Sequence, residues 1–116
     1  MRTVVVDGAN VMGSRPDGWW RDRAGAAARL HGDLSRLTGL DTEFVLVLEG
    51  AAKAAKLTPA ATVKVVLAPG SGDDTIAALA SEETVVVTAD RELRRRCEQH
   101  GAQVVGPGWL LRLFEG

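Results

Sequence analysis

Apolar, β-branched runs alternate along this chain with stretches whose apolar residues recur at helical spacing. Thr3 to Val6, Glu43 to Leu48, Val63 to Leu67 and Thr84 to Thr88 are almost continuously apolar, as expected of strands covered on both faces. A weaker run covers Gln103 to Val105. The spacing predicts a first helix over about Trp19 to Thr38. Trp20, Ala24, Ala27, Leu30, Leu34 and Leu37 share one stripe there, with Arg21, Arg29, Asp33 and Arg36 opposite. Gly39 is a natural stop. A second helix is predicted from near Asp73, with Ile76, Leu79 and Ala80 inward. A third starts near Asp90, with Leu93 and Cys97 inward, and stops near Gly101. A fourth follows Pro107, a residue well tolerated at helix starts, with Trp109, Leu110 and Leu113 inward. Gly50 to Ala61, rich in Ala and Lys, reads as at most a short helix. Gly8 to Gly18 reads as a long strand-to-helix loop, and long loops in compact domains usually carry function. Strand and helix in alternation predict a parallel α/β sheet with helices on both faces.

Composition narrows the class. The 116 residues are expected to form one domain, residues 1–116, without internal repeat or linker. With 46% hydrophobic and 25% charged residues, the chain is neither disordered nor of low complexity. No apolar run reaches the roughly 20 residues that span a bilayer. The first run stops at Asp7, so no secretory leader is expected. The single Cys97 excludes an internal disulfide and fits a reducing cytoplasm. A net charge of −1 means that nucleic-acid binding would need a local basic patch. A homodimer is compatible with so small and Ala-rich a core, although no seam is visible.

The candidate chemistry lies just after the strands. Asp7 follows the first, Glu49 the second, and Asp90 the fourth; a short loop after the third leads to Asp73 and Asp74. In a parallel sheet these points share the carboxyl edge, where ligands of open α/β sheets bind. Each acid has a local explanation. Asp73 and Asp74 favour a helix dipole, Asp90 suits an N-cap, and Asp7 before Gly8 suits a turn. An acid in every one of these windows is about a one-in-a-hundred coincidence before capping preference raises the odds. Crowded carboxylates repel unless a cation sits among them, and carboxylate oxygens with open water positions suit Mg²⁺ or Mn²⁺. Such an ion meets phosphates, so the implied chemistry is phosphodiester or phosphate-ester hydrolysis. Asn10 could orient a carboxylate or a water, or only cap a turn. Thr88 could donate its hydroxyl to a carboxylate or phosphate, or only serve as a strand residue.

Arg15, Lys53, Lys56 and Arg91 are the cations expected to rim the acids and grip a phosphodiester backbone. Arg94, Arg95 and Arg96 read as a solvated helix face. Trp19 and Trp20 read as packing residues, with stacking on a base as the alternative. There is no P-loop, and Gly70-Ser71-Gly72 lacks the last glycine of a dinucleotide fingerprint. Position 9 is Ala, so the first strand carries no Asp-x-Asp. His31 and His100 lack zinc-ligand spacing. Cys97, among apolar positions, reads as core.

Val4-Val5-Val6-Asp7-Gly8-Ala9-Asn10-Val11 resembles the opening of NYN-domain proteins, a branch of the PIN-like ribonucleases. Gly72-Asp73-Asp74-Thr75-Ile76 is similar to that family's acidic pair opening a helix. Val86-Val87-Thr88-Ala89-Asp90-Arg91-Glu92-Leu93 is similar to its hydroxyl-then-Asp segment before a helix. The resemblance covers nearly the whole chain in order. It implies a three-layer α/β/α fold around a parallel five-stranded sheet ordered 3-2-1-4-5. It also implies a metal-dependent endonuclease acting on RNA through Asp7, Asp73 or Asp74, and Asp90, with Asn10 assisting; Mg²⁺ or Mn²⁺ is the expected ion and single-stranded RNA the expected partner. The expected metal ligands are Asp7, Asp74 and Asp90, with Glu49 added; the expected catalytic set also includes Asn10, Asp73 and Thr88. Two positions depart from the family's pattern. Glu49 stands where many relatives have Asp or no acid, and Leu93 and Arg94 stand where some have a further acid. The alternatives are a catalytically weak RNA- or protein-binding module and a phosphate-ester hydrolase acting on nucleotides.

Overall fold

The computed structural model describes residues 1–37 and 39–116. Strands β1 (Arg2–Asp7), β2 (Thr42–Leu48), β3 (Val63–Leu67), β4 (Thr84–Val87) and β5 (Gln103–Val105) form one sheet in the order β3-β2-β1-β4-β5. Every neighbouring pair is parallel. This is the sheet order that the family resemblance implies. The helices are α1 (Gly8–Gly13), α2 (Arg23–Arg36), α3 (Gly72–Leu79), α4 (Arg91–Gln99) and α5 (Pro107–Glu115).

The sheet separates two cores, which explains why its strands are apolar almost throughout. Val4, Val6, Phe44, Leu46, Leu48 and Val87 face α1, α2 and α5, against Met12, Leu30, Leu34 and Leu110. Val5, Val45, Val47 and Val86 face α3 and α4, against Ile76, Leu93 and Cys97. With side chains alternating across each strand, both sets are buried. Each large side chain fully removed from water contributes about 1.5–3 kcal/mol. Among the described residues no helix is long and apolar enough to cross a membrane.

Four expectations change. The loop expected over Gly8 to Gly18 opens with α1, whose six residues are too few to show a stripe. The helix expected over about Trp19 to Thr38 is two elements. A 3-10 turn at Trp19–Arg21 ends at Asp22, whose extended backbone (φ −152°) resets the phase, and whose carboxylate accepts from the Gly25 N–H at 2.8 Å to start α2. Thr38, at the expected end, lies outside the described residues. Because of the reset, Trp20 leaves the inward stripe and is 53% exposed. Leu79, expected inward, is the exposed last residue of α3, and Ala77 takes the buried position. Gly50–Ala54 forms a short 3-10 turn.

Candidate active site

The chain runs from β1 outward through β2 to β3, then crosses to β4 and β5 on the other side of β1. The order therefore reverses between β1 and β4, and open α/β sheets bind ligands at the carboxyl ends flanking such a point. Asp7 ends β1 there, and Thr88 follows β4. The Thr88 hydroxyl donates to Asp7 Oδ2 at 2.8 Å. The neighbouring tie runs from the Ala89 N–H to Asn10 Oδ1 at 2.8 Å. Two side-chain hydrogen bonds thus clamp the mouth of the switch point.

Local structure fixes each partner. Asp7 caps α1, with Oδ1 accepting from the Asn10 N–H at 3.3 Å. The chain can turn into α1 only because residue 8 is glycine: a Cβ there would lie 2.5 Å from the Val47 carbonyl oxygen on β2. Thr88 is fully buried, and its Oγ1 also accepts from the Asp90 N–H at 3.2 Å. Asp90 in turn caps α4 through the Leu93 N–H at 2.9 Å. Glu49 Oε2 accepts from the Gly72 N–H at 3.1 Å, tying the end of β2 to the start of α3.

Asp7 is buried, with only 6% of its surface exposed. That burial raises its pKa above the usual carboxylate value, against the pull of the Thr88 and Asn10 hydrogen bonds, and the charges of Asp73 and Glu49 raise it further. Asp73 is raised likewise, by partial burial first and then by Asp90 and Glu49. Asp7, Glu49, Asp73 and Asp90 are linked by these charges across the edge, with Asp74 adding a smaller push on Asp73 and Arg96 opposing it.

Asp74 departs from its expected place. It is exposed and turned outward, paired with Arg96 at 3.0 Å, because consecutive residues on a helix point about 100° apart. Asp73, not Asp74, faces the acids. The expected cations also separate. Arg15 turns back onto the body, pairing with Asp33 at 2.7 Å and lying over the Phe114 ring at 5.2 Å. Lys53 donates to the Ala68 carbonyl at 2.9 Å, bracing the loop before α3. Lys56 stands on the flank of α2, beside His31, Ser35 and Arg36, away from the acids. Arg91 is exposed and makes no ion pair among the described residues. Arg94 goes beyond the expected solvated face: it reaches back to the Thr88 carbonyl at 3.3 Å. Its place four residues after the Asp90 cap, on the same helix face, is the signal that could have found it. Cys97 is buried, and burial pushes its thiol pKa up, consistent with an inert core residue.

Two hollows, each of about 460 Å³, flank α1 at this edge. One lies between Met12, Trp19, Arg23 and Glu49. The other lies between Asn10, Ser14, Ala89 and Pro107. Ala9 lines both.

The fold and the acid-lined switch point define a parallel α/β domain with its polar chemistry gathered at one sheet edge. Its fold is that of Rae1 (YacP) from Bacillus subtilis. The crystal structure of that protein superposes with a TM-score of 0.77 at 21% identity, over 99% of this chain and 74% of the other. A tryptophan-to-leucine variant of it superposes with a TM-score of 0.80 at 20% identity, over 99% of this chain and 76% of the other. No protein-family model matches the sequence, and no curated protein sequence matches it.

Proposed function

We propose that this chain is a metal-dependent endoribonuclease that hydrolyses phosphodiester bonds of single-stranded RNA at the Asp7 edge. The observation that carries the reading is the buried Asp7 carboxylate, held by Thr88 at the switch point with Asp73 and Glu49 close enough to oppose its ionisation. The NYN-like spacing of Asp7, Asp73 and Asp90 supports the same reading.

The donor set suits a hard divalent ion, since every candidate ligand at this edge is oxygen. Among the described residues no group of three His, Cys, Asp or Glu side chains is arranged as a ready-made cage. Mg²⁺ or Mn²⁺ is commonly held by one or two carboxylates, with water and substrate phosphate completing the shell. Asp7 and Asp73 are the residues to hold it, with Glu49 and Asp90 behind them. The bound ion supplies charge stabilisation at phosphorus and lowers the pKa of water. Thr88 and the Asn10 N–H orient the Asp7 carboxylate and favour its charged form against the effect of burial. Asn10 fixes the loop after β4, which sets Asp90 at the helix start. Asp74 and Arg96 stand outside this set.

The test is cleavage of end-labelled unstructured RNA, with single-stranded DNA and free nucleotides in parallel, with Mn²⁺ or Mg²⁺ and with EDTA. Internal cleavage of RNA in the metal lanes alone is expected. Hydrolysis of a free nucleotide instead makes the chain a phosphate-ester hydrolase, and RNA binding without cleavage makes it a binding module.

A further inference from the structure

We propose that the hollow between α1, the Trp19–Arg21 turn and the end of β2 is a nucleobase subsite, which seats one unpaired base beside the phosphate presented to Asp7. The inference rests on the ribonuclease reading and adds the means of gripping the strand. The cations first expected to do this are engaged elsewhere: Arg15 with Asp33, and Lys53 with the Ala68 carbonyl.

The hollow is continuous with the acid edge. Ala9, on its wall, lies two residues beyond Asp7, and Glu49 belongs to both. The wall is apolar and fixed: Met12 and Ala52 are buried, and Glu49 is held by the Gly72 N–H. Trp19 supplies the aromatic face. Its ring is braced edge-on by Trp20, with centroids 6.0 Å apart and planes at 87°. The Arg23 guanidinium lies 5.3 Å from the Trp19 ring centre. Arg21 stands over Trp20 at 5.7 Å. Neither arginine makes an ion pair among the described residues, and the Arg23 guanidinium lines the aromatic hollow together with the Glu49 carboxylate.

An apolar peptide side chain would use the indole but leave the Arg23 guanidinium and the Glu49 carboxylate without partners. A nucleotide uses all three. Its base stacks on an aromatic or guanidinium plane, its phosphate meets Arg23, and an exocyclic amine can donate to the Glu49 oxygen not taken by Gly72. The volume lies within the range of small-ligand pockets. Bases in a duplex have their faces covered, so the occupant is a base of an unpaired strand. Loss of one base–aromatic stack lowers affinity by roughly 5- to 150-fold.

The test needs no cleavage. Nucleoside 5′-monophosphates and ribose 5-phosphate are titrated into the protein without divalent metal, and the indole N–H resonances are followed by NMR. Trp19→Phe, which keeps a ring against the core, assigns the Trp19 signal. The monophosphates are expected to move that signal and ribose 5-phosphate to leave it in place. Arg23→Gln, at an exposed position, is expected to weaken the nucleotide response at least fivefold. The subsite is overturned by an equal response to ribose 5-phosphate, by no Trp19 response to any nucleotide, or by a response unchanged by Arg23→Gln. A response to N-acetyl-leucine amide in place of nucleotides also overturns it and makes the hollow a protein-docking site. RNA cleavage with a silent Trp19 would leave the ribonuclease reading standing and remove the subsite. A nucleotide response without cleavage would do the reverse.

Discussion

Thr88→Val probes the clamp at the switch point with almost no change of shape. Valine fills the same buried volume but has no hydroxyl. The Asp7 carboxylate loses the 2.8 Å donor on its Oδ2, and the valine that replaces Thr88 offers none. A hydrogen bond to a charged group is worth about 1.5–3 kcal/mol. The Asp90 N–H also loses its acceptor, but Asp90 is exposed and water can serve it. With an unfolding entropy of about 2.1 cal/mol/K per residue, that cost lowers Tm by about 6–12 °C for this chain. The pH dependence gives the sharper signature. Asp7 already has a folded pKa above its ordinary value, and the Thr88 bond holds it down. Removing the bond raises it further. A carboxylate with a raised folded pKa binds more protons in the folded state, so stability falls as pH rises from the unfolded value through the folded one. The penalty of Thr88→Val is therefore full where Asp7 is ionised in both proteins and shrinks as pH falls through its raised folded-state pKa toward the ordinary Asp range. Thermal melts of wild type, Thr88→Val and Thr88→Ser across this range measure it, with Ser retaining the hydroxyl. A Tm loss under about 2 °C, or one that does not change with pH, refutes the reasoning.

Other perturbations separate the roles of neighbouring residues. Asp73→Asn removes a charge held above its usual pKa by partial burial and by Asp90 and Glu49. It is expected to raise Tm at neutral pH in metal-free protein, with the gain vanishing as pH falls below the ordinary Asp range. Gly8→Ala drives a Cβ to 2.5 Å from the Val47 carbonyl, and denaturant melts should show a loss of about 1–3 kcal/mol. Arg15→Ala breaks the partly buried pair with Asp33 and the contact over Phe114. It should lower stability by about 1–2 kcal/mol and leave the salt dependence of RNA binding unchanged.

The strands were legible because burial on both faces leaves nearly continuous apolar runs, and their ends gave the carboxyl edge. The acids stood out because each follows a strand. What could not be read was rotation about a helix axis. Asp73 and Asp74 are adjacent in sequence, and only the packing of Ile76 and Ala77 on the sheet decides which of them faces the site. Long cations hid their partners for a related reason. Arg15 meets Asp33, which is 18 residues away, through tertiary packing that no local spacing reveals. The helix predicted from Trp19 failed at Asp22, a cap whose phase reset leaves the apolar spacing superficially intact. The reset puts Trp20 in solvent and leaves Trp19 lining the hollow.

The central claim is that the Asp7 edge hydrolyses RNA with a divalent ion. The most direct measurement compares wild type with Asp7→Asn in single-turnover cleavage of end-labelled unstructured RNA. Mn²⁺ is titrated in, and melts in the same buffers confirm that both proteins are folded. The change keeps the size of the side chain and an acceptor for Thr88, and it deletes the buried charge. Wild type should cleave internally only with the ion present, and Mn²⁺ should raise its Tm, because an ion that binds only the folded site stabilises it. Asp7→Asn should lose that rise and slow cleavage by several powers of ten. Wild type that leaves RNA intact at saturating Mn²⁺, or Asp7→Asn that cleaves at the wild-type rate, would contradict the account.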